Sequence, residues 1–491
     1  MSAVVGRIWA LTGSILLLLI AGLAGVAVAL LPLQSAILLL GLISLAVLVF
    51  IEPIGAVVLL LITAPLKALI ETEAPASLPG DIGQLALIGL LLVWVVTRVA
   101  SGQELRLPLS KVQVPVALFV GAAALSIPGA VAPGNALAEA SKWVAILLLI
   151  SLCLDLFRRD NAGWLVCAMV LTGGVQALVG LYEFFGGSGV EHLRILDDTH
   201  FRAFGTFGQP NPFGAFMGIT LAMAAGAALG YLFELRRVFQ YRQGFKKVAP
   251  LHVFGFTFYA ATAALILAGL LASWSRGAWM GFVVSAGVMV FFIPRSLIRS
   301  VLLVAILVPL TVIAWSNGWI PESISGRLIG FSEELVTVTD VRGVELTDSN
   351  YAVTERIAHW QSALEMAREH PWLGVGFDNY EQAYFAYALM EWQNPLGHAH
   401  NYYLNLLAET GIIGLSAYLL AWVAIFALTI RQWRRSYGIE RGWCVGLLGV
   451  WTYIAVHSLV DKLYVNNIFL HVGCLLGLLA VLWSLNNQVE A

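Results

Sequence analysis

The sequence predicts an all-α polytopic membrane protein with about 12–14 transmembrane helices and one large extracytoplasmic loop. Three observations lead there. Of 491 residues, 59% are hydrophobic and only 11% are charged, under half of the roughly 25% charge of a soluble domain. The mean hydropathy is +0.85, and disordered chains are instead polar and charge-rich. The apolar runs are long, without the dyad alternation of a membrane barrel, and in lipid a helix satisfies every backbone donor and acceptor internally.

A span needs about 20 mostly apolar residues. Such runs lie near 10–30, 35–51, 53–69, 83–97, 112–128, 138–156, 163–185, 210–233, 252–273, 277–294, 300–316, 402–430, 442–460 and 464–485. That is fourteen, and the two short early spans are alternatively one broken or re-entrant pair. Arg7 followed by an apolar run imitates a signal peptide. More spans follow at once, so an uncleaved first helix is expected. Cys153, Cys167, Cys444 and Cys474 stand singly in apolar stretches. Without ligand or disulfide spacing they read as small buried hydrophobes.

Lys and Arg accumulate on the cytoplasmic side. With the N-terminus inside, seventeen of the 27 basic residues fall in inside loops, against seven of the 29 acids. The net charge of −2 thus hides a basic inside and an acidic outside. The chain divides into residues 1–316 with about eleven spans, an extracytoplasmic loop at 317–400, and residues 401–491 with about three more. In the loop, Tyr351 to His370 reads as an amphipathic helix ended by Pro371, with Ile357, Trp360, Leu364 and Met366 roughly on one side. Such a helix lies on the membrane surface or caps a cavity. Residues 332–350 look like a mobile or strand-containing insertion.

The basic residues left outside go against the bias and are the candidates for chemistry. Arg202 lies in Phe201-Arg-Ala-Phe-Gly-Thr-Phe-Gly-Gln-Pro-Asn-Pro-Phe213, where Gly205, Gly208, Pro210 and Pro212 break regular structure before a span. With Asn211 as N-cap and Pro212 in the first turn, the exposed amides and Arg202 make an anion site. The alternative is a tight loop touching headgroups. Arg276, in Ala272-Ser-Trp-Ser-Arg-Gly-Ala-Trp-Met-Gly281, sits between two apolar runs with almost no loop. A charge there faces a cavity or a partner, or else snorkels to the headgroups. The third candidate is Gly397-His-Ala-His-Asn-Tyr-Tyr403. His400 there suits a general base, or the His pair caps a helix. Gly411 and Gly414 follow, where small residues permit close helix packing. A metal on His398 and His400 is disfavoured because no Asp, Glu or Cys spacing completes a site. Arginines on one face with a histidine suggest a diphosphate and a nucleophile to be deprotonated, since the guanidinium fork matches phosphate.

These segments resemble the O-antigen ligase family, which also contains O-antigen and exopolysaccharide polymerases. The resemblance covers roughly residues 200–480. It rests on Arg202 with Gly-Thr-Phe-Gly-Gln-Pro-Asn-Pro, on Ser275-Arg-Gly-Ala-Trp, and above all on the spacing from His400-Asn401 to Gly411 and Gly414. Glu355-Arg-Ile-Ala-His-Trp through His370-Pro-Trp-Leu-Gly-Val-Gly-Phe377 is similar to the family's large periplasmic loop.

The resemblance implies a fold like the C superfamily of membrane glycosyltransferases, in the bacterial inner membrane with its site facing the periplasm. It implies an inverting transfer from undecaprenyl diphosphate, with no metal, cofactor or nucleotide sugar. A ligase passes the glycan to lipid A–core, and a polymerase passes it to another lipid-linked glycan. The partners are then lipids and glycans, not nucleic acid. Arg202 and Arg276 would hold the diphosphate, and His400 would take the acceptor's proton. Arg356, His398, Asn401, Gln209, Asn211, Ser275 and Arg194 would bind substrate. A transporter is the competing reading, but it calls for ionisable residues at mid-depth. Glu52 and Glu183 are near span ends, and Lys67 and Lys142 lie toward the outer face.

Overall fold

The computed structural model describes residues 53–73, 81–187, 190–196, 199–241, 245–319, 340–347 and 350–487. The spans expected near 10–30 and 35–51, and most of the insertion expected at 332–350, lie outside the described residues. The described chain is helical apart from one two-stranded hairpin. Among the described residues, eight helices are long and apolar enough to cross a membrane, with three shorter apolar helices beside them. It is a polytopic all-α membrane protein.

The helices, in order, are α1 (Pro53–Thr63), α2 (Lys67–Glu73), α3 (Ile82–Ala100), α4 (Gln113–Ala124), α5 (Pro133–Leu156) and α6 (Ala162–Phe184). The hairpin of β1 (Arg194–Ile195) and β2 (His200–Phe201) follows, pairing Arg194 with Phe201. Then come α7 (Pro210–Tyr241), α8 (Phe245–Ala272), α9 (Arg276–Phe292) and α10 (Leu297–Ser316). The loop region supplies α11 (Tyr351–Glu369) and α12 (Tyr380–Tyr387), and the chain closes with α13 (Tyr402–Arg435), α14 (Gly438–His457) and α15 (Ile468–Asn487). Every apolar run from residue 53 onward thus contains a helix.

Contacts divide the chain into two compact units. One is Met1–Leu59 with Ile88–Leu105. Its described part is the start of α1 and most of α3, where Arg98 stacks on Trp94 at 5.6 Å. The other is Leu60–Leu87 with Arg106–Ala491.

Small residues bring its central helices together. Gly226 and Gly230 on α7 face Gly446 and Gly442 on α14 so closely that an added Cβ would meet opposing backbone. Two small-xxx-small motifs meeting face to face let van der Waals packing hold helices together in lipid. The crossing fixes the start of α7 beside the end of α14, the end of the bundle where Arg202, Arg276 and His400 are found. The basic residues Arg158, Arg236, Arg295, Arg434 and Arg441 lie at the opposite ends of these helices. The charge mapping anticipated this two-ended arrangement.

The amphipathic helix expected at 351–370 is α11, with Pro371 just beyond its end. Its buried face is narrower than expected. Ile357 and Met366 are buried with Ala358 and Ala363, whereas Leu364 is 40% exposed. Leu364 instead lines an open surface pocket with Trp372, Leu407 and Ile412.

The run read as one span at 402–430 is broken. Gly411 has φ 63° and ψ −167° inside α13. It does not serve helix packing, as the sequence suggested. The break leaves backbone groups without helical partners, and the Pro371–Gly376 segment satisfies them. Val375 N donates to Ala408 O and Gly376 N donates to Glu409 O, both at 2.9 Å. In return Ile412 N donates to Pro371 O at 2.9 Å and Ile413 N to Trp372 O at 3.4 Å. A side chain at Gly411 would run into the Trp372 backbone.

Gly411→Ala is therefore expected to cost at least about 1–3 kcal/mol, as strained backbone does, and to lower the thermal unfolding temperature in detergent. Gly287→Ala is the control, because nothing lies within 4 Å of a Cβ built there. Equal melting of the two variants would refute the role given to the break.

Candidate active site

The site is assembled at four chain breaks. The first is the turn at Gly205–Phe207, after β2. Gly205 and Gly208 take φ of 54° and 70°, as the glycines suggested. Glu183 at the end of α6 accepts from Phe204 N (2.8 Å) and Gly205 N (2.7 Å), and Gln176 accepts from Thr206 N at 3.2 Å. The turn is thus held from both sides. Arg202 Nε donates to Ser273 O at 3.2 Å and Nη2 to Asn211 Oδ1 at 3.4 Å.

Asn211 is not the helix cap expected of it. The helix α7 begins one residue earlier, at Pro210. This frees the Asn211 amide to accept from Ser275 Oγ at 3.0 Å as well. Ser275 is the N-cap residue of α9, without a side-chain capping bond, and Arg276 is that helix's first residue. Trp274 beside it takes a left-handed φ of 52°. Gly277 lets α9 approach the His457 ring and Val460, which a Cβ would strike.

The third break is Gly397–Asn401. His400 has φ 49°, an uncommon left-handed value for a residue with a side chain. The next residue holds it there: Asn401 caps α13, its side chain accepting from Tyr403 N and Leu404 N at 3.1 Å each. The fourth is the short connection between α14 and α15, which carries Asp461 and Lys462.

Two cavities result. The first, of about 140 Å³, is lined by Arg202, Arg276 and Arg356 together with Asn211, His457 and Asp461. The second, of about 430 Å³, is lined by Gln209, His398, His400 and Lys462, and it shares Asn211 and Asp461 with the first. Seven of the residues selected from sequence thereby meet around one point, with Ser275 lining the first cavity as well. Arg194 and Asn401 line neither. Arg194 stays in its hairpin, 3.0 Å from Glu191 and stacked on Phe201 at 5.1 Å. Asn401 acts as the cap.

Asp461 is the residue that local spacing did not reveal. It is 7% exposed. His398 Nε2 donates to its Oδ1 at 3.0 Å, and His400 Nδ1 lies 3.7 Å from the same oxygen. Burial alone would raise the Asp461 carboxyl, but His398 and His400 outweigh it and hold it well below the usual carboxylate range. Burial pulls the His398 imidazole down, against Asp461. His400 Nδ1 is buried with no hydrogen-bond partner among the described residues, and a small closure toward Asp461 would supply one. A sequence signal existed: Asp461-Lys462 is a charge pair between two apolar runs, the same kind of exception as Arg276.

The chelating atoms of His398, His400 and Asp461 all lie within 4.8 Å of one another, so the trio is able to hold a metal ion. Asp461 supplies, from a distant segment, the carboxylate that the local spacing around His398 and His400 lacks. The His398–Asp461 distance itself is that of a hydrogen bond.

Behind the second cavity is a buried ionic group. Lys462 Nζ lies 2.7 Å from Asp378 and 3.6 Å from Glu139, which also binds Lys142 at 2.5 Å. Burial would lower Lys462, but Glu139, Asp378 and Glu409 raise it, so it stays charged. His359 on α11 is also buried, its Nδ1 2.9 Å from the Tyr380 hydroxyl.

Residues 261–419, about a third of the chain, match a family described as O-Antigen ligase. That region is similar to this family. The match includes Arg276, Arg356, His398 and His400. A 69-residue stretch is 41% identical to the O-antigen ligase of Pseudomonas aeruginosa PAO1, covering 14% of this chain and 15% of that protein. The chain thus aligns with only a small part of that curated relative's length.

Burial pushes the His359 imidazole down to about 4, with His400 and His398 adding to the effect. Its unfolded value is about 6.5, so the unfolded chain binds the extra proton between those two values. Stability from this residue is full above pH 6.5 and falls as pH drops toward 4. His359→Gln is expected to flatten the decline of melting temperature across that window. An unchanged slope would contradict the assignment.

Proposed function

We propose that this protein is a multi-pass enzyme of the bacterial inner membrane that transfers a glycan from undecaprenyl diphosphate to an acceptor sugar at the periplasmic face. The reading put first is an O-antigen ligase acting on lipid A–core. The alternative is an O-antigen or exopolysaccharide polymerase extending a lipid-linked glycan. One observation carries the proposal. Three arginines from separate chain segments line one cavity, two histidines line the next, and Asp461 belongs to both.

Arg202, Arg276 and Arg356 bind the diphosphate of the donor, and their forks suit its oxygens. The acceptor hydroxyl enters the neighbouring cavity beside His400. Asp461 faces His400 Nδ1, which leaves Nε2 with the free lone pair. That nitrogen takes the hydroxyl proton as the oxygen attacks the anomeric carbon. The bond from that carbon to the diphosphate oxygen breaks, the configuration inverts, and undecaprenyl diphosphate leaves with the electron pair. The arginines neutralise the charge that develops on the leaving group. Asp461 stabilises the imidazolium, as the buried carboxylate does in Asp–His pairs. Arginines in this role supply what a divalent metal supplies in many phosphate-handling enzymes.

The test is reconstitution with a lipid-linked oligosaccharide and two acceptors, lipid A–core and a second lipid-linked glycan. A single shift on lipid A–core indicates a ligase, and a ladder of lengths indicates a polymerase. Arg276→Ala and His400→Ala are each expected to lower the rate by about 10²–10⁴-fold in folded, membrane-inserted protein. Full activity of both variants sinks the proposal. Asp461→Asn is expected to lower the rate while donor binding persists. EDTA is expected to leave transfer intact, and loss of activity restored by a divalent ion would overturn the metal-free mechanism.

A further inference from the structure

We propose that this protein binds the headgroup of an anionic glycerophospholipid in a cavity at the opposite end of the bundle from the arginine–histidine site. The inference rests on the membrane reading of the chain and not on the transferase reading. The helix α9 begins at Arg276 and ends at Phe292, and α13 runs from Tyr402, beside His400, to Arg435. Seventeen residues of helix put about 25 Å between the two ends. Between the far ends of α9 and α13 and the start of α10 lies a cavity of about 530 Å³. Phe292, Arg295, Ser300, Trp433 and Arg434 line it, and no acid is among its lining residues.

Trp433 is a fixed wall of the cavity. The residue is 7% exposed. Its ring packs edge-on against Phe292 at 5.1 Å, so its place is set by packing. Nε1 has no hydrogen-bond partner among the described residues and shows no surface to the cavity, so the lining arginines carry the recognition. Two arginines with no acid among the lining residues are matched by a phosphate oxygen. Arg295 is held at the rim, stacked on Tyr437 at 4.1 Å and donating to Ser436 O.

The other walls say that the phosphate belongs to a lipid. Phe291, Leu297 and Ile430 also line the cavity, and Leu297 is 68% exposed at the start of α10. Only 6% of the apolar window of α10 is buried. The cavity therefore opens toward hydrocarbon, with apolar surface for the acyl chains beneath the cationic rim. Basic pockets between membrane helices at the cytoplasmic side recognise anionic lipids in this way.

The experiment measures binding of phosphatidylglycerol and phosphatidylcholine to the full-length protein in detergent, by native mass spectrometry and titration. Phosphatidylglycerol is expected to bind at least tenfold more tightly. Arg295→Gln with Arg434→Gln should weaken phosphatidylglycerol binding about thirtyfold, taking about 1 kcal/mol for each arginine. Arg434→Gln alone, at an exposed position, guards against misfolding and should give about half of the double variant's effect on a logarithmic scale. Equal binding of the two lipids, or wild-type affinity in the double variant, would overturn the proposal. Competition by soluble glycerol phosphate at the lipid's own concentration would reduce the site to a free-anion site and also overturn it.

Discussion

The site depends on a single buried carboxylate. Asp461 is almost fully enclosed, and it lines both cavities. A buried negative charge is costly unless cations and donors surround it. Here they do: His398 binds it, His400 stands beside it, and Arg202, Arg276 and Arg356 line the same first cavity. Conversely, three guanidiniums around a small cavity repel one another without a counter-charge. With one acid among the three arginines, the first cavity keeps an excess of positive charge for an incoming anion.

The histidines reach Asp461 because α13 is not a simple span. Its break at Gly411 exposes backbone donors and acceptors, and the Pro371–Gly376 segment fills them. The exchange ties the extramembrane helices to α13. It places Arg356 of α11 and His400 at the start of α13 in one region. A continuous helix would have no free backbone groups to offer that segment. The glycine needed for this geometry and the cap at Asn401 are consequences of the same local design.

The same helices carry a different chemistry at each end. Arg276 and His457 sit at one end of α9 and α14, and Arg295 and Arg441 lie at the other. The close α7–α14 crossing through Gly226, Gly230, Gly442 and Gly446 keeps the two ends in register. A lipid headgroup held at the basic end and a lipid diphosphate held at the other would both be read by guanidinium, one at each membrane face.

The sequence by itself determined the solvent and the helices, and it pointed to most residues of the candidate site. With so few charges, each exception to the apolar pattern was visible, so Arg202 and Arg276 stood out without coordinates, the His398–His400 pair stood out at a span's start, and Arg356 entered through the family resemblance. Sequence reading is local, and it misjudged what depends on distant partners. Asn211 looked like a cap because Pro212 follows it, and Gly411 looked like a packing residue because it lies in an apolar run. Only the tertiary structure showed Asn211 turned to Arg202 and Ser275, and Gly411 as a break stitched by Pro371–Gly376. It alone brought Asp461 to His398 across 63 positions of chain. The reason is physical: burial and lipid exposure write a periodic signal into neighbouring residues, whereas a hydrogen bond between distant segments leaves no spacing to read.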